Sequence, residues 1–177
     1  MADEPTGAHT PDSPGTPDTP ATRALAASGV PHRVTAHGRV NSLEEAAVAR
    51  GIAPRQIIKT IVVRRADNDF LLVLVPGDRQ ISWPKLRALL GVARLSMPDA
   101  ELAKQATGYE RGTITPFGAL PGPGGEPWPV IADALLVDRG EEVNIGGGAH
   151  GVSASLTPED LVAATGASVA DVTEPLA

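Results

Sequence analysis

A chain of 177 residues, 42% hydrophobic and 20% charged, fits one globular domain with a tail and is long enough to bury its own core. The formal net charge of -6 argues against a nucleic-acid binder held by bulk charge, although a local basic patch can still bind RNA. With no cysteine, disulfides, thiolate metal sites and a cysteine nucleophile are excluded.

Residues 1–20 hold five prolines among Gly, Ser, Thr and Asp, with Asp3, Glu4, Asp12 and Asp18 and no Lys or Arg. That composition cannot offset chain entropy, so a disordered acidic leader is expected there. It has neither the basic start nor the apolar segment of a secretory signal, and no run of the chain approaches the ~20 apolar residues of a membrane span. A cytoplasmic protein with no membrane partner is the expectation. The globular domain is expected over 21–173, with 174–177 as a short tail.

Thr19-Pro20 reads as the cap and first position of a helix that stops at Gly29. A strand follows over 32–36. Ser42-Leu43-Glu44-Glu45 is a capping box whose helix ends at Gly51. The stretch 57–63 has six β-branched residues around one lysine, and predicts a strand over 58–65. The turn 66–69 and the apolar run 70–75 complete an antiparallel hairpin, which Pro76-Gly77-Asp78 breaks. Ser82 and Pro84 open a helix to Gly91, and Met97-Pro98 precedes another to about 106. The Gly- and Pro-rich stretch 107–128 predicts loops around short strands. Strands are expected over 130–137, 142–145, 152–156 and 169–172, and a helix from Pro158 to 165. Without regular alternation of strand and helix, the fold class is α+β: a mixed, mainly antiparallel, barrel-like sheet flanked by short helices.

Lys59 raises the sharpest question. An unpaired buried ammonium is strongly unfavourable. Either its head reaches water at the rim, or it lines a cleft and meets an anion or carbonyl of a ligand. Lys85 and Lys104, the other two lysines, fall in helical segments where a solvated face suffices. Gly146, Gly148 and Gly151 match the spacing of a dinucleotide fingerprint, but 152–156 alternates like a strand where that fingerprint needs a helix, so a Rossmann site is rejected. These glycines serve either a tight strand connection or the close approach of a ligand. His150, set among them, is either a solvated loop residue or an orienting group. The loop Gly112 to Gly118 is either a proline-fixed turn or a source of backbone donors. No Ser-His-Asp arrangement can be built, and Ser153 and Ser155 read as cross-strand hydrogen-bonding residues. No His/Asp/Glu cluster has metal spacing, so neither a metal nor another cofactor is expected.

The order of these pieces resembles the YbaK/aminoacyl-tRNA deacylase family, whose domain is also inserted in bacterial prolyl-tRNA synthetases for editing. The pieces are Ala21 to Leu25 with Gly29-Val30-Pro31, Ser42 to Gly51, Gln56 to Thr60, Val75-Pro76-Gly77-Asp78, Thr107-Gly108-Tyr109 with Gly112 to Gly118, and Gly146 to Gly151 followed by Leu156 to Leu161. The resemblance covers about 20–170. It implies a trans-editing hydrolase that cleaves mischarged aminoacyl-tRNA, of the Cys-tRNA(Pro) or Ala-tRNA(Pro) kind. The partners implied are the tRNA acceptor end and an aminoacyl-tRNA synthetase. Lys59 falls on the family's lysine and would hold the terminal phosphate or the aminoacyl carbonyl. Gly112, Thr113, Thr115 and Pro116 would shape the amino-acid pocket; Gly147, Gly148 and His150 would line the same cleft. Water or a substrate group would attack, with the protein positioning charge. The chain departs from the family's common pattern at Gly-Gly-Gly-Ala-His, where a basic pair is frequent. The alternative is a non-catalytic module that uses the cleft for a nucleotide, an aminoacyl group or a protein partner.

Overall fold

The structure is a computed structural model that describes residues 15–177. Most of the expected leader, 1–14, lies outside the described residues. At 15–20 the chain is already engaged, because Thr19 is buried and caps helix α1 (Pro20–Ser28). The cap is reciprocal: Thr22 N–H donates to Thr19 Oγ1 at 3.0 Å, and Thr19 N–H to Thr22 Oγ1 at 2.9 Å.

Strand β1 (Arg33–Ala36) leads to helix α2 (Leu43–Arg50). Ser42 Oγ accepts from Glu45 N–H at 3.0 Å, while Glu45 reaches back to Asn41 N–H instead of closing a strict capping box. Strands β2 (Ile57–Ala66) and β3 (Asp69–Pro76) form the expected antiparallel hairpin, with Asn68 at φ 54° in its turn. Short β4 (Arg79–Ile81), helix α3 (Trp83–Leu90) and helix α4 (Ala100–Thr107) follow. The stretch 107–128 carries no strand, only turns and a short 3-10 segment at Pro123–Gly125.

Beyond it, β5 (Val130–Asp133) is shorter than the expected strand over 130–137. Asp133 Oδ2 accepts from Leu135 N–H at 3.2 Å and starts a helical turn, α5 (Ala134–Asp138). The apolar run Ala134 to Val137 looked like a continuing strand, but the Asp133 cap turns it. Strands β6 (Val143–Gly146) and β7 (Val152–Leu156), helix α6 (Pro158–Thr165), and strands β8 (Ser168–Ala170) and β9 (Thr173–Pro175) complete the chain.

Seven strands make one mixed sheet in the order β1-β7-β6-β2-β3-β5-β8; β4 and β9 pair separately. The β1–β7, β7–β6 and β2–β3 ladders are antiparallel; β6–β2, β3–β5 and β5–β8 are parallel. The sheet is open, with β1 and β8 as edges, so the barrel-like description is loose. Both faces are covered. Ile58, Val62, Leu72, Leu74, Ile145 and Ala154 pack in one core with Leu25, Ala103 and Leu161 from the helices. On the other face, Val63, Leu71, Val73 and Val75 pack with Ile81 and Leu86, and Ile57 packs separately with Ala46 and Ala47 of α2.

Candidate functional site

The cleft arises from a gap in strand pairing. β2 is ten residues long, but its parallel partner β6 meets it only at Ile57↔Asn144 and Ile58↔Ile145. The next partner along that edge is Ser96, bridged to Arg64. Ladder bonds alternate sides along a strand. Arg64 bonds outward to Ser96, so Thr60 and Val62, of the same parity, turn their N–H and C=O groups into the gap. A cavity of about 490 Å³ opens there, lined by β2 from Ile57 to Thr60, the start and end of α2, Arg111, Gly112 and Ile114, and part of the β6–β7 turn. A smaller chamber of about 120 Å³ adjoins it past Thr60, walled by Val62, Met97, Pro98, Ala103 and Ile114.

Lys59 lines the cleft and is half-buried. Its Nζ donates to the Arg79 carbonyl at 2.5 Å. Burial pushes its pKa below 10.5, and the Asp78 charge offsets part of that. Asp78 itself is held by Arg139 in a two-pronged pair at 2.9 and 2.8 Å, which keeps its carboxyl below the ordinary value. Lys59 thus meets a backbone carbonyl and a nearby but committed carboxylate. Among the described residues Lys59 Nζ, which carries three donor hydrogens, makes one hydrogen bond.

Gly112 and His150 also line the cleft. Gly112 has φ +89°, and a Cβ there would stand 3.8 Å from the His150 ring. His150 Nε2 faces Glu110 at 3.8 Å. The other expected site residues lie elsewhere. Thr113 Oγ1 donates to Glu110 O at 2.7 Å, and the fully buried Thr115 accepts from Phe117 N–H at 3.4 Å, so both hydroxyls brace their own loop. Pro116 borders a separate groove beside Phe117 and Trp128. Gly147 and Gly148 lie behind the cleft. Thr19 Oγ1 donates to Gly147 O at 2.6 Å, and a Cβ on Gly148 would fall 2.9 Å from the Tyr109 ring and 3.1 Å from Ala21. The missing Cβ of Gly148 lets α1 and Tyr109 close on the turn, while a Cβ on Gly147 would fall 2.6 Å from the Val152 side chain. Tyr109 Oη in turn donates to Phe117 O at 2.7 Å, and burial pushes its phenol up to about 12.

Three cleft groups escaped sequence reasoning. Arg50, at the end of α2, donates from Nε to His37 Nε2 at 3.1 Å and from Nη1 to Asn144 Oδ1 at 2.7 Å. Buried Asn144 donates onward to Ser153 Oγ at 3.2 Å and Ser155 Oγ at 3.0 Å, and Ser153 shares a hydrogen bond with Thr35. The two serines are therefore cross-strand partners, as expected. Arg111 stands at the mouth of both cavities. Thr60 Oγ1 is the one buried side-chain polar atom without a partner among the described residues, and its residue borders both cavities. An orphan hydroxyl inside a strand costs free energy. The only sequence signal for it was a threonine next to Lys59. Every charged side chain lining the cleft is a cation (Arg50, Lys59, Arg111) or a histidine.

The aminoacyl-tRNA editing domain family matches residues 37–164, which takes in the whole cleft. The chain belongs to that family. The resemblance drawn from the sequence is thereby borne out. Among curated relatives, a proline--tRNA ligase of Thermosipho africanus is 36% identical over 45% of this chain, and one of Desulfotalea psychrophila is 41% identical over 40%. Those matches span only 14% and 12% of the two ligases. The crystal structure of a candidate trans-editing enzyme for prolyl tRNA synthetase superposes with a TM-score of 0.78 at 29% identity, covering 88% of this chain and 95% of that one. The editing-domain fold thus extends over nearly all the described residues.

Proposed function

We propose that this editing domain is a trans-editing hydrolase that deacylates mischarged aminoacyl-tRNA, with a small amino acid such as alanine or cysteine on tRNA(Pro) as the leading substrates. The observation that carries the reading is the cleft itself, a cavity lined by Arg50, Lys59 and Arg111 that adjoins, at Thr60, a smaller and mainly apolar chamber of about 120 Å³. The acceptor end of a tRNA brings phosphate and a ribose ester; a small side chain suits the chamber. Size selection of this kind is worth only ~1–3 kcal/mol per methylene, which is why separate editing sites exist.

In this reading water attacks the acyl carbon, the acyl–oxygen bond breaks, and free amino acid and the tRNA 3′-terminal ribose hydroxyl are released. Lys59 and the Gly112 loop face the oxygen that gains negative charge. Thr113 N–H is committed to Glu110 O, while Gly112 N–H and Ile114 N–H make no hydrogen bond among the described residues and supply donors. Ser153 and Ser155 are tied to Asn144, and Ser42, which lines the cleft, accepts from Glu45 N–H as the cap of α2, so none of the three is assigned as nucleophile. His150 stands beside Gly112 to orient the water or the ester.

A deacylation panel tests the reading. Release should be fast for alanyl- and cysteinyl-tRNA(Pro), and slow for prolyl-tRNA(Pro) and for bulky aminoacyl groups. A protein that binds tRNA but releases no amino acid from any charged tRNA would be a binding module instead.

A further inference from the structure

We infer that Arg50 is the phosphate-binding residue of the cleft, seated to take the phosphate of the nucleotide that enters it. The inference rests on the reading of the cleft as a site for a nucleic-acid 3′ end, and assigns within it a role no motif predicted. An arginine in a protein wall ordinarily finds a carboxylate. Arg50 has none: both of its partners, His37 and Asn144, are neutral acceptors, and no salt bridge includes it among the described residues. Burial alone shifts its pKa, downward, with no anion to offset it. Its seat is built from three elements. His37 Nδ1 faces Gly38 O at 2.7 Å, so Nδ1 carries the proton and Nε2 presents its lone pair to Arg50 Nε. Asn144 gives both amide hydrogens to Ser153 and Ser155, which fixes Oδ1 toward Arg50 Nη1. Nη2 makes no hydrogen bond among the described residues and is not a buried orphan, so it keeps contact with solvent, and its residue lines the cleft. A rigid, uncompensated guanidinium with a free fork edge suits a phosphate. With Arg50 on the phosphate, Lys59 is left for the ester end of the ligand.

The bland alternative is that Arg50 only caps α2 and ties it to β6. Calorimetric titration of the full chain with adenosine and with adenosine 5′-phosphate separates the two, whether or not the protein hydrolyses any ester. Wild type should bind the phosphate form at least about tenfold tighter than the nucleoside at low salt, and Arg50→Gln should abolish that ratio while keeping adenosine affinity. Arg50→Lys, which keeps the charge, guards against a folding defect and should keep part of the ratio. The inference is overturned if wild type shows no preference for the phosphate form, or if Arg50→Gln shows the wild-type ratio. Absence of deacylation with the ratio intact would instead sink the hydrolase reading and leave Arg50 as assigned.

Discussion

Lys59 and Thr60 are neighbours on β2 with opposite problems. Lys59 is a half-buried ammonium whose bonded partner is the Arg79 carbonyl. Between its lowered folded pKa and 10.5 the unfolded chain binds more protons than the folded one, so stability from this group rises with pH across that window. Lys59→Met keeps the stem and removes the titration. Urea unfolding in steps from about pH 8 to about pH 10.5 should show wild type gaining stability relative to the variant; parallel curves would contradict the assigned burial effect. Thr60 Oγ1 is buried and unpartnered. Thr60→Val replaces the hydroxyl by a methyl of similar size. It should raise stability by about 1 kcal/mol, as read by urea unfolding, while lowering kcat/KM for deacylation. A destabilised variant would mean that the hydroxyl has a partner in solution.

The glycine-rich turn between β6 and β7 does two jobs. Its far side, Ala149 to Gly151, lines the cleft; its near side, Gly147 and Gly148, receives α1. Gly148→Ala places a Cβ at φ +85° within 2.9 Å of the Tyr109 ring. It should cost roughly 2 kcal/mol in chemical denaturation, with the KM of the folded fraction little changed. A large KM effect at normal stability would return Gly148 to the ligand site. At this scale the sequence was readable where local chemistry decides. The β2–β3 hairpin, the Thr19, Ser42 and Ser82 caps and the glycine stops of α1, α2 and α3 were all visible. It misled where one residue overrides a pattern, as Asp133 does by capping α5 inside an apolar run. Strands β4 and β9, three residues each, exist only through each other across the chain and leave no local signal.

For the molecule as a whole, a net charge of -6 coexists with a cleft free of carboxylates in its lining. Bulk charge therefore says little about this ligand; the local field decides. The site was half legible for the same reason. Lys59, Gly112 and His150 fall in recognisable motifs and converge. Arg50 could not be found, because its partners lie 13 and 94 residues away in the sequence and no short motif joins them. The cleft exists because β6 stops pairing with β2 after Ile58, a property of the whole sheet that no segment announces. The central claim is that this gap is an ester-hydrolysing site centred on Lys59. Single-turnover release of alanine from alanyl-tRNA(Pro) by wild type and Lys59→Ala, with folding checked by thermal unfolding, tests it most directly. The account predicts a loss of at least about a hundredfold in a variant that still folds; equal rates for the two proteins would contradict it.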